Sequence, residues 1–232
     1  MRINKYLSDA GAASRRTSDK LIEECRVKIN GKPAEIGQNV KDGDVVTLDG
    51  VKLNPTKKYV YLMFNKPKGC ICSKNDEKGR KTIYDYIDFK ERLVSVGRLD
   101  YDSEGLLILT NDGALVNYLT HPSNEIPKMY HVKVEGEVQE SDLAVLRAGV
   151  VIDGVKTSRA KLKLLEFKEN ISRFEMTIYE GRNRQIKKMF QTVGKEVVFL
   201  KRVAVGDLRL GGLSRGGYRE LTDAEVNYLK KL

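Results

Sequence analysis

Histidine and cysteine are scarce in this chain, and long apolar runs are missing. The 232 residues include 2 histidines and 3 cysteines. His121 and His131 support neither a histidine-based metal centre nor a Ser-His-Asp triad. Cys25, Cys70 and Cys72 cannot build a full disulfide framework and suit a reducing compartment. Cys70 and Cys72 stand one residue apart without a companion histidine, whereas zinc asks for four well-spaced ligands. Phosphate loops and dinucleotide fingerprints are also absent. No stretch approaches the ~18 apolar residues of a membrane helix. Met1-Arg2-Ile3-Asn4-Lys5 has no signal-peptide core. The expectation is a cytoplasmic protein with no metal, no cofactor and no membrane partner.

What the chain does have is positive charge. Lys and Arg number 42 against 32 Asp and Glu, a formal charge of +10. Hydrophobic content of 41% beside 32% charged residues describes a globular chain. Excess lysine could serve solubility alone, or it could mark a nucleic-acid face; clustering decides between them.

The first fifty residues read as a unit. Ile3, Tyr6, Leu7 and Ala10 recur at helical spacing, with Gly11 as a stop. Ser14 can cap a second helix whose buried side is Leu21, Ile22 and Cys25. Arg15 and Arg16 fall in its first turn, against the positive end of the helix dipole, a conflict that a bound phosphate would relieve. A strand follows at Arg26–Ile29, and Asn30-Gly31 signals a hairpin turn. Residues 1–32 hold eight Lys/Arg and four Asp/Glu, whereas residues 33–50 hold one and four. Arg2–Leu7, Ala12–Arg16, Arg26–Gly31 and Lys41–Val46 together resemble the alpha-L RNA-binding motif in order and spacing. That resemblance places Lys5, Ser14, Arg15, Arg16, Lys20, Lys28 and Asn30 on or near an RNA face.

Polar residues 51–58 are expected as a linker, and residues 59–232 as a larger domain. Tyr59–Phe64 is a continuous apolar strand. Residues 65–81, including Lys66, carry six basic and two acidic residues around Gly and Pro, a loop suited to phosphates or simply a mobile surface. Further strands are expected at 93–97, 106–110, 130–136, 158–167, 172–179 and 196–200, and helices at 113–120, 140–147, 182–193 and 222–231. Strands outnumber helices without strict alternation, so the expected class is α+β with a mixed, largely antiparallel sheet flanked by helices.

Three segments look unlike scaffold. Gly97–Gly105 is a polar loop between two apolar strands, containing Asp100, Asp102 and Glu104. Asp100 and Asp102 could be a hydrolytic carboxylate pair, or ordinary turn residues bonding local amides. Tyr130 opens an alternating strand, as packing or as a stacking platform for a base. Glu180–Phe190 includes a helix with Ile186, Met189 and Phe190 buried, and Arg182, Arg184, Lys187 and Lys188 in its first turns. Residues 181–219 hold ten Lys/Arg against two Asp/Glu. Positive charge is therefore clustered, which favours RNA as the partner.

Gly97-Arg98-Leu99-Asp100 with Gly105–Gly113, then Lys128-Met129-Tyr130, then Glu180–Phe190 closely resemble, in order, the three motifs of ribosomal-RNA pseudouridine synthases of the RsuA family. The third motif and residues 75–81 look more like the large-subunit RluB branch. The resemblance implies isomerisation of one ribosomal-RNA uridine to pseudouridine without cofactor, in large-subunit RNA or alternatively small-subunit RNA. The sequence carries no strong oligomer signal, so the simplest expectation is a monomer, acting on naked RNA or an assembly particle. It implies Asp100 as the essential aspartate, Tyr130 stacked on the base, and Ile186 packed on its other face. It implies Lys187 as the cation beside Asp100, and Arg98 as a holder of phosphate or displaced strand. A noncatalytic RNA-binding assembly protein would use the same basic faces without needing Asp100.

Overall fold

The computed structural model describes every residue except Thr56, Lys57 and Asn75. Two expectations therefore lie partly outside the described residues: the linker, at Thr56 and Lys57, and the RluB-like segment, at Asn75. The chain forms two compact units, one of Met1–Val60 with Lys90–Leu93 and Asn111–Gly113, the other of the remainder.

In the first unit α1 (Ile3–Asp9) and α2 (Arg15–Glu23) precede β1 (Val27–Ile29), β2 (Lys32–Pro33), β3 (Val46–Leu48) and β4 (Val51–Leu53). Ser14 caps α2, its Oγ accepting from the Thr17 amide at 3.0 Å. Ile3, Leu7, Ile22, Val27, Ile29 and Val46 form the core. Asn30-Gly31 links β1 to β2 with φ of 52° and 80°, the paired positive values of a type I′ hairpin. Asp49-Gly50 makes the same kind of turn, with φ of 50° and 82°, between β3 and β4. This turn corrects the expected linker: the chain reverses at Gly50 and Val51–Leu53 pairs back onto β3.

The second unit begins with β5 (Tyr61–Lys66), β6 (Val94–Ser95), β7 (Glu104–Thr110) and β8 (Lys128–Glu135), with α3 (Gly113–Thr120) before β8. Next come α4 (Glu140–Ala148), β9 (Val151–Ile152), β10 (Val155–Lys156), β11 (Lys161–Lys168), β12 (Ile171–Ile178) and α5 (Gln185–Gln191). It ends with β13 (Val197–Val205), β14 (Leu208–Arg209), β15 (Tyr218–Glu220) and α6 (Asp223–Leu229). The main sheet runs β11-β12-β8-β13-β7-β5-β15, with β14 on β13 and β6 on β7. Only β13–β7 among these pairs is parallel, so the sheet is mixed and largely antiparallel as the sequence suggested.

β7 is buried along its whole length. Leu106 and Ile108 pack with Leu115 and Leu119 of α3 and with Val226 and Leu229 of α6. Phe190 of α5 lies against Phe174 of β12, ring centroids 5.7 Å apart. Gly105 has φ of 109°, and a Cβ there would stand 2.1 Å from the Arg202 carbonyl. Glycine is thus what lets β7 approach β13 closely enough to pair in parallel. Two further expectations change. α5 starts at Gln185 rather than 182, because Arg182–Arg184 turns, with Arg184 at φ of 51° and the Gln185 side chain accepting from the Arg182 amide. β13 runs on to Val205, well past residue 200, carrying Arg202 into the sheet.

Candidate active site

The loop between β6 and β7 is fastened from below. Lys66, fully buried at the end of β5, donates from Nζ to the carbonyls of Pro67 at 3.1 Å, Asp100 at 3.0 Å and Ser103 at 3.0 Å. The Ser103 amide closes a turn onto the Asp100 carbonyl at 3.1 Å, and the Gly69 amide holds the Tyr101 carbonyl at 2.8 Å. Leu99, buried beneath, contacts Cys72 Sγ through both its amide and its carbonyl. These bonds use backbone oxygens and leave the Asp100 side chain unspent. Its carboxylate has no ion pair or hydrogen bond among the described residues, and it lines a cavity of about 370 Å³. That volume lies in the range of a small-molecule site.

The cavity gathers side chains from separated segments of the chain. Arg98 comes with Asp100, Lys128 and Tyr130 come from β8, and Ile178 from the end of β12. Residues 179–186 supply Arg182, Arg184 and Ile186, and β13 supplies Leu200, Arg202 and Val205. Tyr130 and Ile186 are both buried, at 6% and 3% exposure. The three sequence segments singled out for chemistry therefore meet in one concavity. They do so because β8 and β13 are neighbours, and α5 begins where the chain leaves β12.

Several expected site residues sit elsewhere or are otherwise engaged. Lys66 is not a surface cation for RNA: it occupies an inward position of β5 in line with Leu62 and Phe64. Burial above all pushes its pKa down. Lys187, only 8% exposed, forms an ion pair with Asp102 rather than Asp100, and Arg184 adds a second contact to Asp102 at 3.7 Å. Burial raises the Asp102 pKa, but the Lys187 hydrogen bond and the charges of Lys187 and Arg184 outweigh it and hold the carboxyl below its usual value. Asp102 is consequently a fixed anion, unsuited to donate a proton as half of a hydrolytic pair. Arg182 spends its guanidinium on Glu180 at 3.1 Å and on the carbonyls of Val155 and Lys156, both at 2.9 Å. Lys188 pairs with Asp153 at 2.5 Å. These two brace α5 against the β9–β10 hairpin.

In the first unit Arg15, Arg16, Lys20 and Lys28 are exposed. Lys5 pairs with Asp9 at 2.6 Å, Ser14 is occupied as the cap of α2, and Asn30 bridges Asp44 and the Val45 amide at 2.8 and 2.9 Å. The sequence reading missed Arg202 altogether and saw Lys128 only as part of a motif. No periodicity marked Arg202, because Lys201 and Arg202 interrupt both parities of the apolar run Val197–Val205, and only the structure shows Leu200, Arg202 and Ala204 buried.

Residues 60–192 match the RNA pseudouridylate synthase family, and residues 1–46 match the S4 domain. The chain is 43% identical to ribosomal large subunit pseudouridine synthase B of Bacillus subtilis (strain 168), over 100% of this chain and 96% of that protein. It is 39% identical to the dual-specificity RNA pseudouridine synthase RluF of Escherichia coli (strain K12), over 100% of this chain and 79% of that one. A crystal structure of a pseudouridylate synthase superposes with a TM-score of 0.73 at 34% identity, covering 99% of both chains.

Proposed function

Because this chain belongs to the RNA pseudouridylate synthase family, we propose that it isomerises one uridine of large-subunit ribosomal RNA to pseudouridine, with residues 59–232 as its catalytic domain. The observation that carries this reading is the Asp100 carboxylate, unpaired among the described residues and lining a cavity that also holds Tyr130 and Ile186. A uridine must leave its stack to be reached, at a cost of a few kcal/mol. An aromatic and an aliphatic side chain lining the cavity repay part of that cost by covering the extruded base. Asp100, free of any cation, keeps its lone pairs for the target nucleotide, acting on the sugar or the base or assisting sugar deprotonation. Its position is fixed through its carbonyl by Lys66, not by a partner on the carboxylate.

Cations divide by exposure. Arg98 and Arg184 stand exposed at the cavity, available to the phosphates flanking the flipped nucleotide. Lys187 supports the site at one remove, by holding Asp102. In the N-terminal module Arg15, Arg16, Lys20 and Lys28 present the charge expected of an RNA face, so phosphate contacts there raise affinity without choosing the uridine. The protein acts as a monomer, on naked RNA or on an assembly particle.

The test is tritium release from RNA labelled at uridine C5. Wild type is expected to release one equivalent from transcribed large-subunit RNA, or from partly assembled large-subunit particles. Asp100→Asn is expected to release none while binding RNA as wild type does. Release confined to small-subunit RNA would overturn the substrate. Undiminished release by Asp100→Asn would overturn the site.

A further inference from the structure

Two inward cations of the cavity, Arg202 and Lys128, have no anion among the described residues. Arg202, 4% exposed on β13, is tied only through Nε, which donates to the Leu106 carbonyl at 2.7 Å. Lys128, half-buried at the start of β8, donates from Nζ to the Ile126 carbonyl at 2.8 Å. Among the described residues neither forms an ion pair, although Asp100 lines the same cavity. The pair is electrostatically uncomfortable: burial first, then the charge of Arg202, push Lys128 down to about 8. A buried, uncompensated charge is costly unless something else selects it. The other inward cations of this region, Lys66 and Lys187, are spent on three carbonyls and on a carboxylate. Lys128 and Arg202 are arranged for an anion that arrives with the substrate.

A flipped nucleotide brings two sources of negative charge. Its phosphates belong to the RNA backbone, where exposed Arg98 and Arg184 already stand. The base goes deepest, and Arg202 is in register with Tyr130 across the β8–β13 ladder. When the C1′–N1 bond breaks, its electron pair leaves with the ring, and the resulting anion spreads charge over N1, O2 and O4. The ring then gives an electron pair from C5 to form the C5–C1′ bond. The C5 proton passes to solvent water, and N1 takes up a proton, so the sum is an isomerisation. Full negative charge on the detached ring thus arises between bond breaking and bond making.

We propose that Lys128 and Arg202 form the electrostatic seat of the detached uracil anion, holding its oxygens while the ring turns from N1 to C5. This rests on the reading of the cavity as a uridine isomerisation site. Preorganised charge of this kind acts on the transient state more than on the bound substrate, so its removal slows chemistry and spares affinity.

The experiment compares wild type with Arg202→Met, Lys128→Met and Lys128→Arg in single-turnover tritium release, beside RNA binding by filter retention. Each methionine variant is expected to slow release roughly 100-fold or more, with RNA affinity within about threefold. Lys128→Arg is expected to recover most of the rate. A rate within threefold of wild type in both methionine variants would overturn the proposal. A slowing matched by an equal loss of RNA affinity would overturn it in favour of a phosphate contact.

A second arm needs no RNA and covers the case in which Arg202→Met fails to fold. Calorimetric titration compares barbiturate, a planar pyrimidine ionised at neutral pH, with neutral uracil. Wild type should bind barbiturate at least tenfold more tightly, and Lys128→Met should erase the preference. Equal affinities in wild type would defeat the proposal. Absence of tritium release by wild type would instead count against the proposed function, with this arm still deciding the anion seat.

Discussion

Lys66 offers the sharpest separation between the charge count and the structure. Replacing it with Met keeps most of the buried stem and removes only the ammonium. Three carbonyls, at Pro67, Asp100 and Ser103, then lose a donor held at 3.0–3.1 Å. Each bond from a charged donor is worth about 1.5–3 kcal/mol, and each buried acceptor left bare costs ~1–3 kcal/mol. Against this stands relief from burying a positive charge, which is the main cause of the lowered Lys66 pKa. The balance resembles a buried pair with one partner removed, a loss of about 3–5 kcal/mol. For a protein of this size that lowers Tm by roughly 6–20 °C. Scanning calorimetry reads the shift, and tritium release read well below the new Tm isolates the effect on the site. Rate should fall further than stability explains, because two of the three carbonyls position Asp100 and its turn, and a displacement of about 1 Å can cost 100-fold. A Lys66→Met protein that melts within 2 °C of wild type at full rate would refute this account. One that melts normally but binds RNA weakly would restore Lys66 as a phosphate ligand.

Two further perturbations test the electrostatics. Asp102→Asn strips the counterion from Lys187, which is only 8% exposed, while Asp102 itself is half exposed, so the expected loss is about 1–2 kcal/mol of stability in chemical denaturation. Its rate should fall less than tenfold, and a loss as complete as that of Asp100→Asn would revive the carboxylate pair. Lys128 gives a pH dependence of definite sign: its folded pKa of about 8 lies below the usual lysine value of 10.5, so between those values the unfolded chain holds more protons. Stability contributed by this group must therefore rise from pH 8 to 10.5, by ~1–2 kcal/mol after allowance for partial exposure. Subtracting the denaturation profile of Lys128→Met from that of wild type isolates the slope, and a flat or falling difference would contradict the shift.

Local signals carried much of the architecture. Ser14 announced α2, Asn30-Gly31 announced the first hairpin, and period-two alternation located β8 and β12 within two residues. The same turn chemistry stands at Asp49-Gly50 and Asp153-Gly154 and is equally legible, whereas Glu169-Asn170 takes positive φ at both residues without that signature. The strand order was out of reach, since the parallel β13–β7 pair depends on a contact between residues almost a hundred positions apart. The site was half legible: motifs located Asp100, Tyr130 and Ile186, but counting charge by window treated every cation as a solvated one. Burial within the sheet corrects that count. Lys66 shares its face with Leu62 and Phe64, and Arg202 with Leu200 and Ala204, so each is a charge placed inward among apolar neighbours. Such a charge has to be matched by backbone oxygens, by a carboxylate or by something the protein binds. Lys66 has its oxygens and Lys187 its carboxylate. Arg202 and Lys128 have neither carboxylate nor a full set of oxygens, and that remainder is what separates the cations that build this cavity from those that wait for its occupant.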